Sequence, residues 1–159
     1  MTTLYLLRHA HAGDPGDWAG NDDLRPLSEK GRRQASRLGE ALARWSEAPD
    51  LLITSPRLRA RQTAELVAEA LGVEVVEDQR LARPLETRVA ADIAAAHGAA
   101  RPCLVGHDPD FSSLLGELIG VGDVPMRKGA IARVDFDAGI RAGAGSIRLL
   151  LPPEILGRK

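Results

Sequence analysis

Cysteine occurs once and aromatic residues five times in this chain of 159, and 21 basic residues are balanced by 22 acidic ones. Each shortage closes a class of function. A single Cys103 supports neither a disulfide framework nor a thiolate metal cluster. Within the apolar run CLVG it reads as a buried structural thiol rather than a catalytic one. Five aromatics leave few stacking platforms for single-stranded nucleic acid. A net charge of -1 lacks the basic excess that usually accompanies binding to phosphate backbones. No apolar run approaches the roughly 20 residues needed to span a bilayer. The N-terminus has no basic segment ahead of its apolar stretch, and Arg8-His9 interrupts that stretch early, unlike a signal peptide. Neither nucleic acid nor membrane is expected as a partner, and the cytoplasm is the default location.

What is present alternates. LYLL (4–7) reads as a buried strand, followed by a Gly-, Asp- and Pro-rich loop. Ser28 suits the N-cap of a helix over about 29–46, with Ala35, Leu38, Leu42 and Trp45 on one face. DLLIT (50–54) is a second strand. The next helix has Ser55 as N-cap, Pro56 at its first position and Gly72 as terminator. A strand over 73–77, a helix over 87–97 and a strand over 102–106 follow. Asp108 and Pro109 then open a helix ending near Gly120, and AIARVDFD and GSIRLLLP form an antiparallel pair. This order predicts a single α/β domain over residues 1–159, with three α/β/α layers and a mostly parallel sheet covered by helices on both faces.

Three of the strand ends carry unusual residues. Strand one stops at Arg8-His9, strand two at Ser55-Pro56 with Arg57 and Arg59 beyond, and strand four at His107. Ligands of open α/β sheets bind outside the carboxyl ends of the strands. Guanidiniums gathered there beside helix N-termini suit an anion, phosphate above all. Singly, each feature is weak: a strand-end histidine is commonly a bystander, and Arg57, Arg59 and Arg61 could form a solvated helix face. His9 and His11 fall on opposite sides of a strand and lack a supporting carboxylate cluster, so no metal site is expected. With Ser55 as N-cap, Arg57 and Arg59 would point about 160° apart, so only one of them could serve a common ligand well.

These segments also carry a family resemblance. LYLLRHAHA resembles the Arg-His-Gly signature of the histidine phosphatase (phosphoglycerate-mutase-like) superfamily, with Ala10 in place of Gly. LITSPRLRARQTAE and LVGHDPDF resemble its second and third motifs, and LRPLSEKGRRQA is similar to a run of the short SixA-type branch of phosphohistidine phosphatases. The resemblance implies a phosphoglycerate-mutase-like fold. It implies His9 as phosphate-accepting nucleophile, with Arg8, Arg59 (not Arg57) and His107 as the catalytic phosphate-binding set. Arg25 in the RPLS segment is implied in substrate binding.

The expected chemistry is attack by a neutral His9 imidazole, whose other nitrogen donates to a backbone carbonyl, followed by hydrolysis of the phosphohistidine. Arginines take the place of a metal, and no cofactor is implied. Where larger relatives carry a general acid, this chain reads Ala82-Arg83. Glu86 is a candidate for that acid but lies out of register, and reads more readily as a surface or helix N-terminal carboxylate. Without an acid, a phosphoramidate is the easier substrate, since an imidazole departs with less help than an alkoxide. The expected partner is a protein carrying phosphohistidine. The alternatives are a small phosphate ester or a non-catalytic phosphate-binding module, and the chain is expected to act as a monomer.

Overall fold

The computed structural model describes residues 1–157. Six strands form one mixed sheet: β1 (Thr2–Arg8), β2 (Leu51–Thr54), β3 (Val75–Glu77), β4 (Pro102–Gly106), β5 (Ile131–Phe136) and β6 (Ser146–Leu151). Their spatial order is β3-β2-β4-β1-β5-β6. β3, β2, β4 and β1 are mutually parallel, whereas β5 runs against both β1 and β6. Four helices flank them: α1 (Glu29–Leu42), α2 (Leu58–Leu71), α3 (Thr87–His97) and α4 (Asp110–Ile119).

The central strands β1, β2 and β4 alternate, yet both of their faces are dry. Leu4, Leu6, Ile53 and Leu104 point into a cluster with Ala90 and Ile93 of α3 and Phe111, Leu114 and Leu118 of α4. Their neighbours Tyr5, Leu7, Leu52, Cys103 and Val105 point the other way, onto Leu38 and Leu42 of α1 and Ala60, Ala64 and Val67 of α2. A period of two with both sets buried is the pattern of a central strand between helix layers. Each fully buried Leu or Ile here is worth roughly 1.5–3 kcal/mol relative to exposure. Cys103 is one of this packed set, and burial pushes its thiol pKa up, away from thiolate chemistry. No described helix is long and apolar enough to cross a membrane.

Three helix boundaries differ from the sequence expectation, the smallest shift being at α4, which starts at Asp110 with Pro109 as its N-cap. α1 ends at Leu42, not near 46, and the chain continues in tight turns in which Trp45 N–H donates to Leu42 O at 2.9 Å. Trp45 kept the helical spacing because it packs edge-on against Tyr5, at a ring-centroid distance of 6.2 Å. α2 begins at Leu58 with Arg57 as an N-cap that offers no side-chain bond. Ser55 is still part of the sheet ladder, donating its N–H to Val105 O at 2.9 Å, so it cannot cap a helix starting at 56. The Ser28 cap is as expected, accepting from Gly31 N–H at 3.1 Å.

Candidate active site

The ladder runs one residue past the strand ends. His9 N–H donates to Gly106 O at 2.9 Å, just as Ser55 N–H reaches Val105 O. The loops after β1, β2 and β4 therefore leave the sheet side by side, and the register that pairs Arg8 with Gly106 sets His9 beside His107. The two rings lie 5.4 Å apart between centroids, and each residue is only 5% exposed. At Gly106 a Cβ would come within 2.7 Å of the Phe111 ring, so glycine lets α4 tuck in directly behind His107.

Hydrogen bonding orients both imidazoles. His9 Nδ1 is 2.8 Å from the carbonyl oxygen of Ala10. A carbonyl only accepts, so Nδ1 carries the proton and Nε2 keeps its lone pair. Burial, reinforced by the charges of Arg59, Arg8 and Arg25, lowers the pKa of His9 to about 3. His107 Nε2 lies 2.8 Å from Ser55 Oγ. That hydroxyl already accepts from Arg57 N–H at 3.2 Å. Among the described residues its own hydrogen has no other acceptor than Nε2, which leaves the His107 proton on Nδ1. Burial and then His9 and the nearby arginines bring His107 to about 3 as well.

The arginines are held rigidly at one end and left open at the other. Arg8 Nη1 donates to Met126 O at 2.8 Å and lies 3.4 Å from Asp108 Oδ2. Arg59 is gripped by Asp22, with Nη1 on its carbonyl oxygen at 2.8 Å and Nη2 on its carboxylate at 3.1 Å. The same carboxylate accepts from Arg25 Nε at 2.9 Å, and these bonds, Arg25's first, lower the Asp22 pKa. Arg25 is buried too, and also donates to Ala12 O at 2.7 Å. Among the described residues, three buried side-chain nitrogens have no hydrogen-bond partner: Arg8 Nε, Arg59 Nε and His107 Nδ1. Buried donors are rarely left unpaired. Here all three belong to neighbours of His9, since His107 lies near its ring and the charges of Arg59 and Arg8 bear on it, and together they can bind a compact oxyanion.

Arg57 stands apart. Its side chain is 32% exposed and pairs with Asp23 at 3.2 Å, while Arg59 is buried. The separation comes from their places at the N-cap and second helical position, not from the second and fourth positions of a helix begun at Pro56. Glu86 is exposed at the N-cap of α3 and makes no capping bond. Among the described residues no group of three His, Cys, Asp or Glu side chains is placed to hold a metal ion.

Several positioning residues escaped the sequence reading. Asp22 is one, and the Ser55 hydroxyl is another. Thr63 Oγ1 accepts from Ala10 N–H at 3.0 Å, Gln34 from His11 N–H at 3.0 Å and Gln62 from Leu27 N–H at 2.8 Å. These side chains lie inside the motifs already quoted. A signal for Asp22 existed in its i,i+3 spacing from Arg25, but its contact with Arg59 crosses 37 residues.

Comparison with known proteins places the chain by family and by fold. An uncharacterized protein of Picosynechococcus is 34% identical over 155 residues, spanning 91% of this chain and 88% of that one. Sequence relatives named as phosphatases or phosphoglycerate mutases match about half of this chain and at most 39% of their own length. A candidate phosphohistidine phosphatase SixA from Agrobacterium tumefaciens superposes with a TM-score of 0.79 at 25% identity, covering 96% of this chain and 99% of that chain. The fold is shared by a protein histidine phosphatase SixA solved with tungstate, with a TM-score of 0.77 at 24% identity over 98% of this chain and all of the other. The sequence profile of the histidine phosphatase superfamily (branch 1) matches residues 4–83, from β1 through the second motif. The chain belongs to the histidine phosphatase superfamily.

Proposed function

We propose that the protein removes phosphate from phosphohistidine on another protein, by way of a phosphohistidine of its own on His9. One observation carries the reading: the residues that neighbour the neutral imidazole of His9 hold three buried side-chain nitrogens without partners. His9 Nε2 attacks phosphorus in line, forming an N–P bond as the bond from phosphorus to the substrate ring breaks. That ring carries a proton from solvent on its other nitrogen and leaves as neutral imidazole. Arg8 Nε, Arg59 Nε and His107 Nδ1 donate to the equatorial oxygens, where charge is spread in the transition state. Water then attacks the phosphoryl group on His9, releasing phosphate and restoring the imidazole. Arg25 supports binding through the Asp22 carboxylate that it shares with Arg59. No step requires a cofactor.

The phosphoramidate substrate follows from what lies around the pocket. Glu86 is exposed and makes no bond at its helix end, and Asp108, the carboxylate nearest Arg8, is occupied by that arginine and by Ser112. A departing imidazole tolerates this, whereas an alkoxide would forgo a proton donor worth roughly 10²–10⁴-fold. That similar folds include proteins described as phosphohistidine phosphatases supports the same choice. The test is phosphate release from a histidine-phosphorylated carrier protein beside a panel of sugar and nucleotide phosphates, with His9→Ala as control. Faster turnover of the carrier supports the reading. Faster turnover of an ester makes the protein a small-molecule phosphatase, and tight binding without turnover makes it a phosphate-binding module.

A further inference from the structure

Beside the phosphate site lies a cavity of about 250 Å³ bounded by Arg8, His11, Lys30, Gln34, Arg127 and Lys128, with Glu154 as its one carboxylate. We infer that this basin receives carboxylate side chains of the phosphorylated protein, so that the enzyme selects phosphohistidines set in an acidic surface. The inference rests on the phosphohistidine reading above.

Three observations carry it. The first is continuity. Arg8 lines the basin while its Nε remains open in the phosphate site. The turn bearing Lys128 is stapled to the catalytic segment, since Gly129 N–H donates to both Arg8 O at 3.1 Å and His9 O at 2.9 Å. Lys128 is thus held at a fixed place beside the nucleophile. Burial and the charges of Arg8 and Arg25 lower its pKa.

The second is uncompensated charge. On the β2–β3 side several cations are matched: Arg57 with Asp23 at 3.2 Å, Arg61 with Glu65 and Glu77 at 3.4 Å, and Arg80 with Asp78 at 2.6 Å. Arg127 pairs with Glu154 at 3.3 Å. Among the described residues neither Lys30 nor Lys128 has a carboxylate within ion-pair range. An acidic partner is drawn to this side.

The third is exposure. Lys30 is exposed and Lys128 half-buried, in contrast to the buried donors of the phosphate site. Ammonium groups at an open rim suit a protein surface better than an enclosed small diacid.

The experiment compares the wild-type protein with the Lys30→Gln/Lys128→Gln double variant on four substrates. These are an acidic histidine-phosphorylated protein, that protein with the carboxylates around its phosphorylated site changed to amides, a small phosphoramidate, and a small phosphate ester bearing a carboxylate. For the acidic protein, kcat/KM should fall about tenfold more than for the phosphoramidate, chiefly through KM. The difference should vanish with the amide-substituted protein and shrink as salt is raised. Equal losses on the acidic protein and the phosphoramidate overturn the inference. A larger loss on the small carboxylate ester overturns it in favour of a diacid metabolite. Turnover of the acidic protein that ignores the substitutions overturns this inference alone, while failure to act on any phosphohistidine protein overturns the substrate reading and takes the inference with it.

Discussion

Arg59 and Arg57 lie two residues apart and face different surroundings, which makes them the sharpest residue-level comparison. Arg59 is buried and forked onto Asp22 with Nε left open, whereas Arg57 is spent on Asp23 and partly solvated. Arg59→Ala should remove a buried charge-assisted donor, roughly 2–4 kcal/mol of transition-state stabilisation or about 30- to 1000-fold in kcat/KM. Arg57→Ala should stay within about tenfold. Steady-state kinetics of the two variants measures this, and equal losses would contradict it. The histidines give a second comparison. With pKa values near 3, the rings of His9 and His107 should keep neutral-imidazole chemical shifts in the ligand-free protein from pH 8 down to pH 5. A midpoint near 6.5 for either ring in an NMR titration would show that the pocket is wetter than described.

Among the elements, α1 is the one whose placement most affects the site. Ser28 caps it, and Ser28 Oγ also lies 2.6 Å from His11 Nδ1, two residues beyond His9. At Gly31 a Cβ would overlap the carbonyl oxygen of His11, so the first turn of α1 rests directly on the loop that carries His9. Gly31→Ala should therefore cost about 1–3 kcal/mol in urea unfolding, through overpacking, and should lower kcat as the loop shifts. A variant of unchanged stability would contradict that contact. The elements were largely legible in the sequence. The alternation of Leu4, Tyr5, Leu6 and Leu7, and the glycine stops at Gly72 and Gly120, are local signals that tertiary packing did not override. The misplaced start of α2 has a physical reason: the Ser55 hydroxyl was read as a cap but is committed to His107, 52 residues away. Asp22 and Lys128 were illegible for the same reason, because their roles arise only when distant loops meet. Three of the four motif segments were readable because they begin where β1, β2 and β4 stop, which local sequence sets.

For the chain as a whole, the two buried histidines tie stability to pH. Their folded-state pKa values, about 3, lie below the unfolded value of 6.5. Between those limits the unfolded chain binds more protons than the folded one, so stability should fall as pH drops from about 6.5 towards 3. Thermal melts across that window should show a steep decline that His9→Asn and His107→Asn each reduce, and a flat profile would contradict the burial of both rings. Chelators should leave turnover unchanged, since arginines and an imidazole supply the donors; activity lost to a chelator and restored by a divalent ion would contradict the arrangement. These expectations depend on His9 being the atom that takes the phosphoryl group. Rapid quench with labelled phosphoprotein, followed by peptide mapping, tests that directly. The label should appear on His9 within a single turnover, stable to base and labile to acid, and be absent from His9→Ala. Label on Ser55 or His107, or undiminished turnover by His9→Ala, would contradict it.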